Sequence, residues 1–231
     1  MKVVILAGGY GTRLSEYTKK VPKPMVKINN IPIILYIMKH FKRYGFSNFC
    51  IALGYKGEII RKYFKEKNFK WCKINLIETG NNVMTGGRLK RLKNILSDNE
   101  DFFLTYGDGI SNINLIKLLK FHKKHKKIGT ISAVRPPARF GFIKLKGQKI
   151  KYFKEKSNLD VGWINGGFMI FNKKIFKYLK NDNTYLEREP LEQLSKKKEL
   201  YAFKHKGFWQ CMDTLRDKLI LEKSIKQKKH L

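Results

Sequence analysis

Three segments of this sequence combine residue types that could bind phosphate or a metal ion. The first is the run LAGGYGTRL at Leu6–Leu14, followed by Lys23 in VPKPM. Glycines leave backbone N–H groups open to phosphate oxygens, and Arg13 and Lys23 would add positive charge to the same anion. The pattern lacks the Gly-Lys-Ser/Thr of a Walker loop and the acidic residue of a dinucleotide-binding fingerprint. It predicts a phosphate site of another kind, with an ordinary turn as the alternative.

The second segment is TYGDG at Thr105–Gly109, and the third is QCMDT at Gln210–Thr214. An Asp between two glycines leaves space for a metal ion and a triphosphate, and Mg²⁺ in proteins typically binds one or two carboxylates. Asp108 is therefore a candidate metal ligand, with a plain Asp-Gly turn as the alternative. Asp213 precedes a predicted helix, so the sequence by itself favours a helix N-cap there over a second metal carboxylate.

Strands and helices that alternate along the first half of the chain must position these segments. The apolar runs Lys2–Ala7 and Phe102–Tyr106 predict buried strands, one directly before the glycine loop and one directly before Asp108. A helix is predicted over Arg88–Leu96 after a turn at Gly86–Gly87. The other elements predicted here are strands at Phe49–Leu53 and Ile74–Ile77 and helices from Pro32 to Gly45, at Glu58–Phe64 and at Leu115–His125.

The pattern changes after Thr130, where short strands are separated by turns and a helix over Leu215–Lys226 closes the chain. Alternating strands and helices predict parallel β-α units, whereas this second half predicts added antiparallel strands. The predicted fold class is a three-layer α/β, Rossmann-like mixed sheet, mostly parallel, with a small antiparallel addition. The strands predicted in this half are Gly129–Val134, Gly141–Leu145, Lys149–Phe153 and Trp163–Phe171.

The charge of the chain suggests a nucleic-acid partner, but the kind of basic residue argues against one. Lys and Arg number 50 against 18 Asp and Glu, for a net charge of +32. Of these, 41 are lysines scattered along the chain and nine are arginines, whereas base readout favours arginine forks and clustered stripes. No apolar run approaches the roughly 20 residues that span a bilayer. We therefore expect a cytoplasmic protein with no nucleic-acid and no membrane partner.

With these motifs the chain resembles the sugar-1-phosphate nucleotidylyltransferases, and within them the glucose-1-phosphate cytidylyltransferases. The resemblance runs from Met1 to about Lys218. The broader match rests on LAGGYGTR, the Lys23-Pro24 pair, YGDG, FKEK and INGGF. The narrower match rests on ETGNNVMTGGRLKRL at Glu78–Leu92, TYGDG, RFG, EREPLEQL at Glu187–Leu194, and GFWQCMDTLRDK at Gly207–Lys218.

This resemblance implies a magnesium-dependent enzyme that joins CTP and glucose 1-phosphate, releasing pyrophosphate and CDP-glucose for deoxysugars of surface polysaccharide such as lipopolysaccharide O-antigen. It implies catalytic roles for Arg13, Lys23 and Asp108, and Mg²⁺ ligation by Asp108 and Asp213. In one domain over 1–231, residues 1–128 would bind the nucleotide, and residues 129–231 the sugar, with the C-terminal helix. The implied nucleotide-binding residues are Leu6, Ala7, Gly8, Gly9, Tyr10, Gly11, Thr12, Arg13, Lys23, Thr79, Gly80 and Arg88.

The sugar site and the choice of substrates are the least determined part of the resemblance. The implied sugar-phosphate residues are Arg139, Gly141, Glu155, Lys156, Asn165 and Gly166. The segment between Phe64 and Trp71 is shorter than in typical members, and Cys211 stands where Pro is usual. The alternatives within the same fold are another nucleotide, such as UTP or dTTP, and another phosphorylated acceptor. The alternatives of another class are a noncatalytic nucleotide-sugar sensor and a basic nucleic-acid-binding protein. Members of this group commonly form oligomers, so a homo-oligomer is an open expectation.

Overall fold

A computed structural model describes residues 1–67, 69–98, 100–137, 141–155 and 162–227. The strands are β1 (Val3–Leu6), β2 (Lys27–Ile28), β3 (Ile31–Pro32), β4 (Asn48–Leu53), β5 (Lys73–Glu78), β6 (Asp101–Tyr106), β7 (Gly109–Ser111), β8 (Gly129–Val134), β9 (Phe142–Lys146), β10 (Lys149–Lys154), β11 (Ile164–Asn172), β12 (Leu200–Lys204) and β13 (Trp209–Cys211). The α-helices are α1 (Ser15–Thr18), α2 (Ile33–Arg43), α3 (Gly57–Lys67), α4 (Thr85–Arg91), α5 (Lys93–Leu96), α6 (Leu115–His125), α7 (Glu189–Lys196) and α8 (Leu215–Lys226).

Seven strands form the central sheet in the order β12-β8-β11-β6-β1-β4-β5. The pairs β6-β1, β1-β4, β4-β5 and β8-β12 are parallel, whereas β11 is antiparallel to both of its neighbours. Strands β9 and β10 form a separate antiparallel hairpin. The predicted mixed, mostly parallel sheet with a small antiparallel addition is therefore confirmed.

The core lies on both faces of this sheet, as three layers require. Because successive strand side chains point to opposite faces, Val3 and Ile5 of β1 pack with α2 and α3, whereas Val4 and Leu6 pack with α4, α5 and α7. A third cluster joins α8 to the start of α2. Among the described residues, no helix is both long enough and apolar enough to cross a bilayer.

The glycine pair Gly86–Gly87 corrects one expectation, because it lies inside the first turn of α4 and is not a turn before it. A Cβ on Gly86 would lie 2.8 Å from the Thr184 carbonyl oxygen, and one on Gly87 would lie 2.5 Å from that of Asp182. Glycine therefore serves close packing here, between α4 and the segment before α7. Three strands and helices in the second half, α7, β12 and β13, are not among those predicted from the sequence.

The strand register explains why the glycine loop and Asp108, both predicted for the site, lie close together. Leu6 of β1 pairs with Ala52 of β4 on one side and with Tyr106 of β6 on the other. The parallel strands therefore end at the same edge, where the glycine loop follows β1 and Asp108 follows β6. In open α/β sheets this carboxyl edge is where ligands bind.

Candidate active site

A cavity of about 360 Å³ opens at this carboxyl edge. The whole loop Leu6–Arg13 lines it, together with Lys23, Arg88 and Asp108. These residues come from separate parts of the sequence, and the fold brings them together around one cavity. Thr79 is fully buried at the end of β5, and Gly80 follows it with φ +82°, a backbone conformation that favours glycine.

Two glycines of the loop are required by the space around them. A Cβ on Gly8 would lie 2.2 Å from Nη1 of Arg88, where no atom fits. Gly11 has φ +65°, and a Cβ there would lie 2.9 Å from Cγ2 of Thr18. Gly9, in contrast, has no atom within 4 Å of its Cβ position and opens toward the cavity. The loop therefore exposes backbone where a ligand would lie and is tightly packed behind it.

Arg88 forms the floor of the cavity, and neutral oxygen atoms surround its guanidinium. Nη1 donates to Leu53 O at 3.0 Å, Thr79 Oγ1 at 2.8 Å and Gly80 O at 2.7 Å. Nη2 donates to Gly8 O at 2.9 Å and to Asn81 O at 3.1 Å. Burial lowers the pKa of Arg88 from its ordinary value. One side chain thus ties together the loops that follow β1, β4 and β5.

The mouth of the cavity holds two carboxylates joined by one ammonium group. Lys23 Nζ lies 2.6 Å from Asp108 Oδ2 and 2.7 Å from Asp213 Oδ1. Arg13 adds a contact of 2.8 Å to the other oxygen of Asp213, although its own side chain is 73% exposed. The catalytic and metal residues predicted from separate motifs are therefore within direct contact of one another.

Lys23 and Asp213 stabilise each other's charged forms. Burial alone would lower the pKa of Lys23, but the charges and hydrogen bonds of Asp108 and Asp213 outweigh burial and raise that pKa. Burial alone would raise the pKa of Asp213, but the hydrogen bond and charge of Lys23 outweigh it and hold that pKa below its usual value. Both side chains are therefore ionised at neutral pH.

Asp213 corrects a second expectation, because it is not the N-cap of the last helix. Thr214 caps α8: its hydroxyl accepts from the Asp217 N–H, while the Asp217 side chain accepts from the Thr214 N–H, which completes a capping box. A short ladder between β7 and β13, continued by a 2.9 Å bond from Met212 N–H to Asp108 O, places Asp213 beside Asp108. The cap role belongs to the next residue, and the Asp213 carboxylate faces the cavity cations.

The donor set at the mouth fits a hard divalent cation. Asp108 and Asp213 each present an oxygen to one point in space, which Lys23 Nζ marks. No group of three or more His, Cys, Asp or Glu with metal-binding placement occurs in the described part of the chain. A site of two carboxylates still suits Mg²⁺, which usually completes its six positions with water and phosphate oxygens.

Of the predicted sugar-phosphate residues, those that the structure describes lie at the ends of the hairpin and at the start of β11. Glu155 follows β10, and its Oε2 lies 3.0 Å from the position that a Cβ on Gly141 would take. Asn165 is exposed, and Gly166, which it precedes, accepts a 2.7 Å bond from Trp209 Nε1 at its carbonyl. Two further predicted residues, Arg139 and Lys156, lie outside the described residues.

Several residues that line or border the cavity are absent from the residues predicted for the site. Thr85, Tyr106 and Tyr185 line the cavity, and Glu187 bonds to two of them. Tyr106 directly precedes the Gly-Asp-Gly motif and Thr85 directly precedes the glycine pair, so adjacency to a motif could have marked both. Glu187 lies 81 residues from Tyr106 in the sequence, and only the fold brings the two together.

Comparison with known proteins agrees with this geometry. The family model described as nucleotidyl transferase matches residues 2–219. The glucose-1-phosphate cytidylyltransferase of Salmonella typhimurium is 43% identical, over 96% of this chain and 95% of its own length. A probable glucose-1-phosphate cytidylyltransferase of Bacillus subtilis is 39% identical, over 98% of this chain and 97% of its own.

Solved structures show the same architecture. HddC from Yersinia pseudotuberculosis, complexed with GMP-PN, superposes with a TM-score of 0.78 at 25% identity and covers 97% of this chain and 99% of its own. A putative glucose-1-phosphate thymidylyltransferase from Bacillus anthracis reaches a TM-score of 0.76 at 18% identity, covering 96% of this chain and 94% of its own. Because the sequence identity of the second structure is only 18%, this similarity supports the fold alone.

Proposed function

This chain belongs to the nucleotidyl transferase family, and we propose that it transfers a cytidylyl group from CTP to glucose 1-phosphate, giving CDP-glucose and pyrophosphate. The reaction type rests on one observation above all, the convergence of Lys23, Asp108 and Asp213 at the mouth of a glycine-lined cavity. The choice of CTP and glucose 1-phosphate rests on relatives with that name at 43% and 39% identity over nearly the whole chain.

The chemistry needs positioning and charge neutralisation and no general base. A phosphate oxygen of the sugar phosphate is already an anion, so it can attack the α-phosphorus of the nucleotide directly, in line with the departing pyrophosphate. The new bond is P–O to the sugar phosphate, and the broken bond is the P–O between the α- and β-phosphates. Loop N–H groups of Gly8–Arg13 would orient the triphosphate, and Arg13 and Lys23 would stabilise the charge on the leaving group.

Mg²⁺ is the proposed cofactor, held by Asp108 and Asp213. When bound, a divalent cation neutralises phosphate charge and makes the phosphorus more electrophilic. Lys23, which joins the two carboxylates in this structure, would then be released to contact the phosphates. Residues 1–128 would bind the nucleotide and residues 129–231 the sugar phosphate, with Glu155, Asn165 and the other predicted sugar residues in the second half.

The deciding experiment is pyrophosphate release with Mg²⁺, with CTP, UTP, dTTP, ATP and GTP tested separately against glucose 1-phosphate. We expect release with CTP far above the others and a product with the mass of CDP-hexose. Glucose 6-phosphate is the matched control acceptor, because it carries the same groups with the phosphate elsewhere. A preference for another nucleotide would overturn the cytidylyl assignment, and no release with any nucleotide by folded protein would overturn glucose 1-phosphate as the acceptor.

A further inference from the structure

The carboxylate of Glu187 is held at the rim of the cavity by two hydroxyl groups. Tyr106 donates to its Oε1 and Thr85 to its Oε2, each at 2.5 Å. Tyr106 and Thr85 themselves line the cavity. Glu187 is exposed, and it makes no salt bridge with any basic residue among those described, although the chain has 50 Lys and Arg. A carboxylate oriented by neutral donors in so basic a protein needs an explanation.

The two residues that bond Glu187 are themselves held in place by their neighbours. The Tyr106 ring packs on Gly167, where a Cβ would lie 2.8 Å from the ring and where φ is +76°. The Thr85 hydroxyl accepts from the Leu186 N–H at 3.0 Å and donates its own hydrogen to the Glu187 carboxylate, which orients it from both sides. Burial, first, and the charge of Glu187, second, raise the pKa of Tyr106 well above its ordinary value, which keeps the phenol protonated as a donor.

The position in the sheet of Tyr106, the partner of Glu187, points toward the sugar half of the site. Tyr106 ends β6, which lies between β1 with its glycine loop and β11 with Asn165. The Asn165 side chain also hydrogen-bonds Tyr106. An ionised carboxylate only accepts hydrogen bonds and repels phosphate oxygens, so a sugar phosphate or nucleotide would place a neutral donor beside it and not a phosphate. Hydroxyl groups of the sugar are such donors, and each Glu187 oxygen retains a free lone pair to accept one.

We propose that Glu187 binds a hydroxyl group of the hexose, and that Tyr106 and Thr85 hold its carboxylate for that contact. The proposal rests on the proposed function for the presence of a hexose phosphate at this site, and it adds a residue that determines which hexose is accepted. A site built to accept a hydrogen bond from a hydroxyl rejects an analogue without it, because the carboxylate then loses a partner. Tyr106 and Thr85 act through Glu187 and are positioning residues.

The test compares Glu187→Gln with Glu189→Gln, a neighbouring exposed acid that bonds Lys180 and Gln193 and does not line the cavity. The acceptor is whichever hexose 1-phosphate the wild type uses fastest, so that failure of glucose 1-phosphate would overturn only the proposed function. We expect Glu187→Gln to raise the KM for the hexose phosphate roughly tenfold or more, with the KM for CTP changed less than about twofold. Glu189→Gln should change neither.

Analogues that each lack one hydroxyl identify the contact. The wild type should lose roughly tenfold or more in kcat/KM with one of them, and Glu187→Gln should lose little further with that same analogue. Tyr106→Phe keeps the ring on Gly167 and removes the donor, so it should shift the KM in the same direction by less. An unchanged KM for the hexose phosphate in both variants, or a rise confined to the KM for CTP, would overturn the proposal.

Discussion

At the mouth of the cavity Lys23 is bonded to two carboxylates, whereas at its floor Arg88 is bonded only to four carbonyl groups and one hydroxyl. Both cations are shielded from solvent, with Lys23 12% exposed and Arg88 4% exposed. The partners of Lys23 are ligands that a metal ion could take over, so this contact can exchange. Four of the five partners of Arg88 are backbone carbonyl groups and the fifth is the Thr79 hydroxyl, so none of them is a carboxylate that a metal ion would take over.

The difference in partners suggests different roles within one site, with Lys23 part of the reacting groups and Arg88 part of the structure beneath them. The group of Asp108, Asp213 and Lys23 carries a net charge of −1, which favours a further cation, and Arg13 at the rim is mostly exposed. Beneath the glycine loop the Arg88 charge has no carboxylate partner among the described residues and would favour an anion in the cavity. A nucleotide triphosphate with a divalent cation matches this order of charges, with the anion over the floor and the metal at the mouth.

Substitutions at the mouth should reduce catalysis more than substitutions at the floor, and Asp108→Asn should have the largest effect. The change keeps the shape of the side chain and removes the charge on which a metal ligand depends. We expect kcat to fall by at least about a thousandfold, with an unchanged circular dichroism spectrum. Asp98→Asn, at an exposed position after α5, is the control and should keep normal activity. Activity near that of the wild type in Asp108→Asn would remove Asp108 from the metal role.

Lys23→Gln tests whether Lys23 competes with Mg²⁺ for Asp108 and Asp213 or instead holds these two carboxylates in place. Turnover should fall by roughly 10²–10³-fold because a phosphate-stabilising charge is lost. Binding of Mg²⁺ without substrates should tighten, because no ammonium group competes for Asp108 and Asp213. Isothermal titration calorimetry at low salt measures this directly. Weaker binding of Mg²⁺ in the variant would show that Lys23 supports the carboxylates and does not compete with the metal.

The sequence indicates the mouth and the loop because their signals are local. A buried strand followed by glycines, and an Asp between glycines at the end of another strand, predict a site at one edge of the sheet. The structure places Arg13, Lys23 and Asp108 together at that edge, and their roles stay predictions. The N-cap prediction for Asp213 was wrong for a local reason as well, since Asp213 and Thr214 both suit an N-cap and the capping box with Asp217 favours Thr214. Metal binding by Asp213 stays a prediction.

What the sequence could not show depends on contacts between distant segments. The helical state of Gly86–Gly87 opposes their low helix propensity, and packing against Thr184 and Asp182 decides it. The Arg88 cage needs carbonyl groups from three loops, one of them 80 residues away. Glu187 meets Tyr106 and Thr85 only after the segment before α7 has docked on α4. None of these contacts leaves a periodic or spaced pattern in the chain.

Arg88, at the floor of the cavity, should contribute to the stability of the fold in addition to supplying a positive charge. The variant Arg88→Ala tests this. Its removal leaves several buried carbonyl groups without a donor, so we expect the free energy of unfolding to fall by about 3 kcal/mol or more. Gly54→Ala should act similarly, because its Cβ would lie 2.3 Å from Arg88 Nη1. Gly9→Ala, with no atom within 4 Å, is the matched control for chemical denaturation. Equal stability of Gly54→Ala and Gly9→Ala would contradict the cage.

Thr214→Ala should have the smallest effect of these variants. It tests whether the N-cap of α8 helps to position Asp213 at the mouth of the cavity. The capping box holds the start of α8, and the Asp217 carboxylate also accepts from the Asp213 N–H at 3.2 Å. Loss of the cap should lower the free energy of unfolding by about 1 kcal/mol and loosen the backbone that presents Asp213. The apparent affinity for Mg²⁺ should therefore weaken a few-fold, while Ser195→Ala, exposed in the last turn of α7, should leave it unchanged. If stability falls and Mg²⁺ affinity does not, the β7-β13 ladder alone positions Asp213.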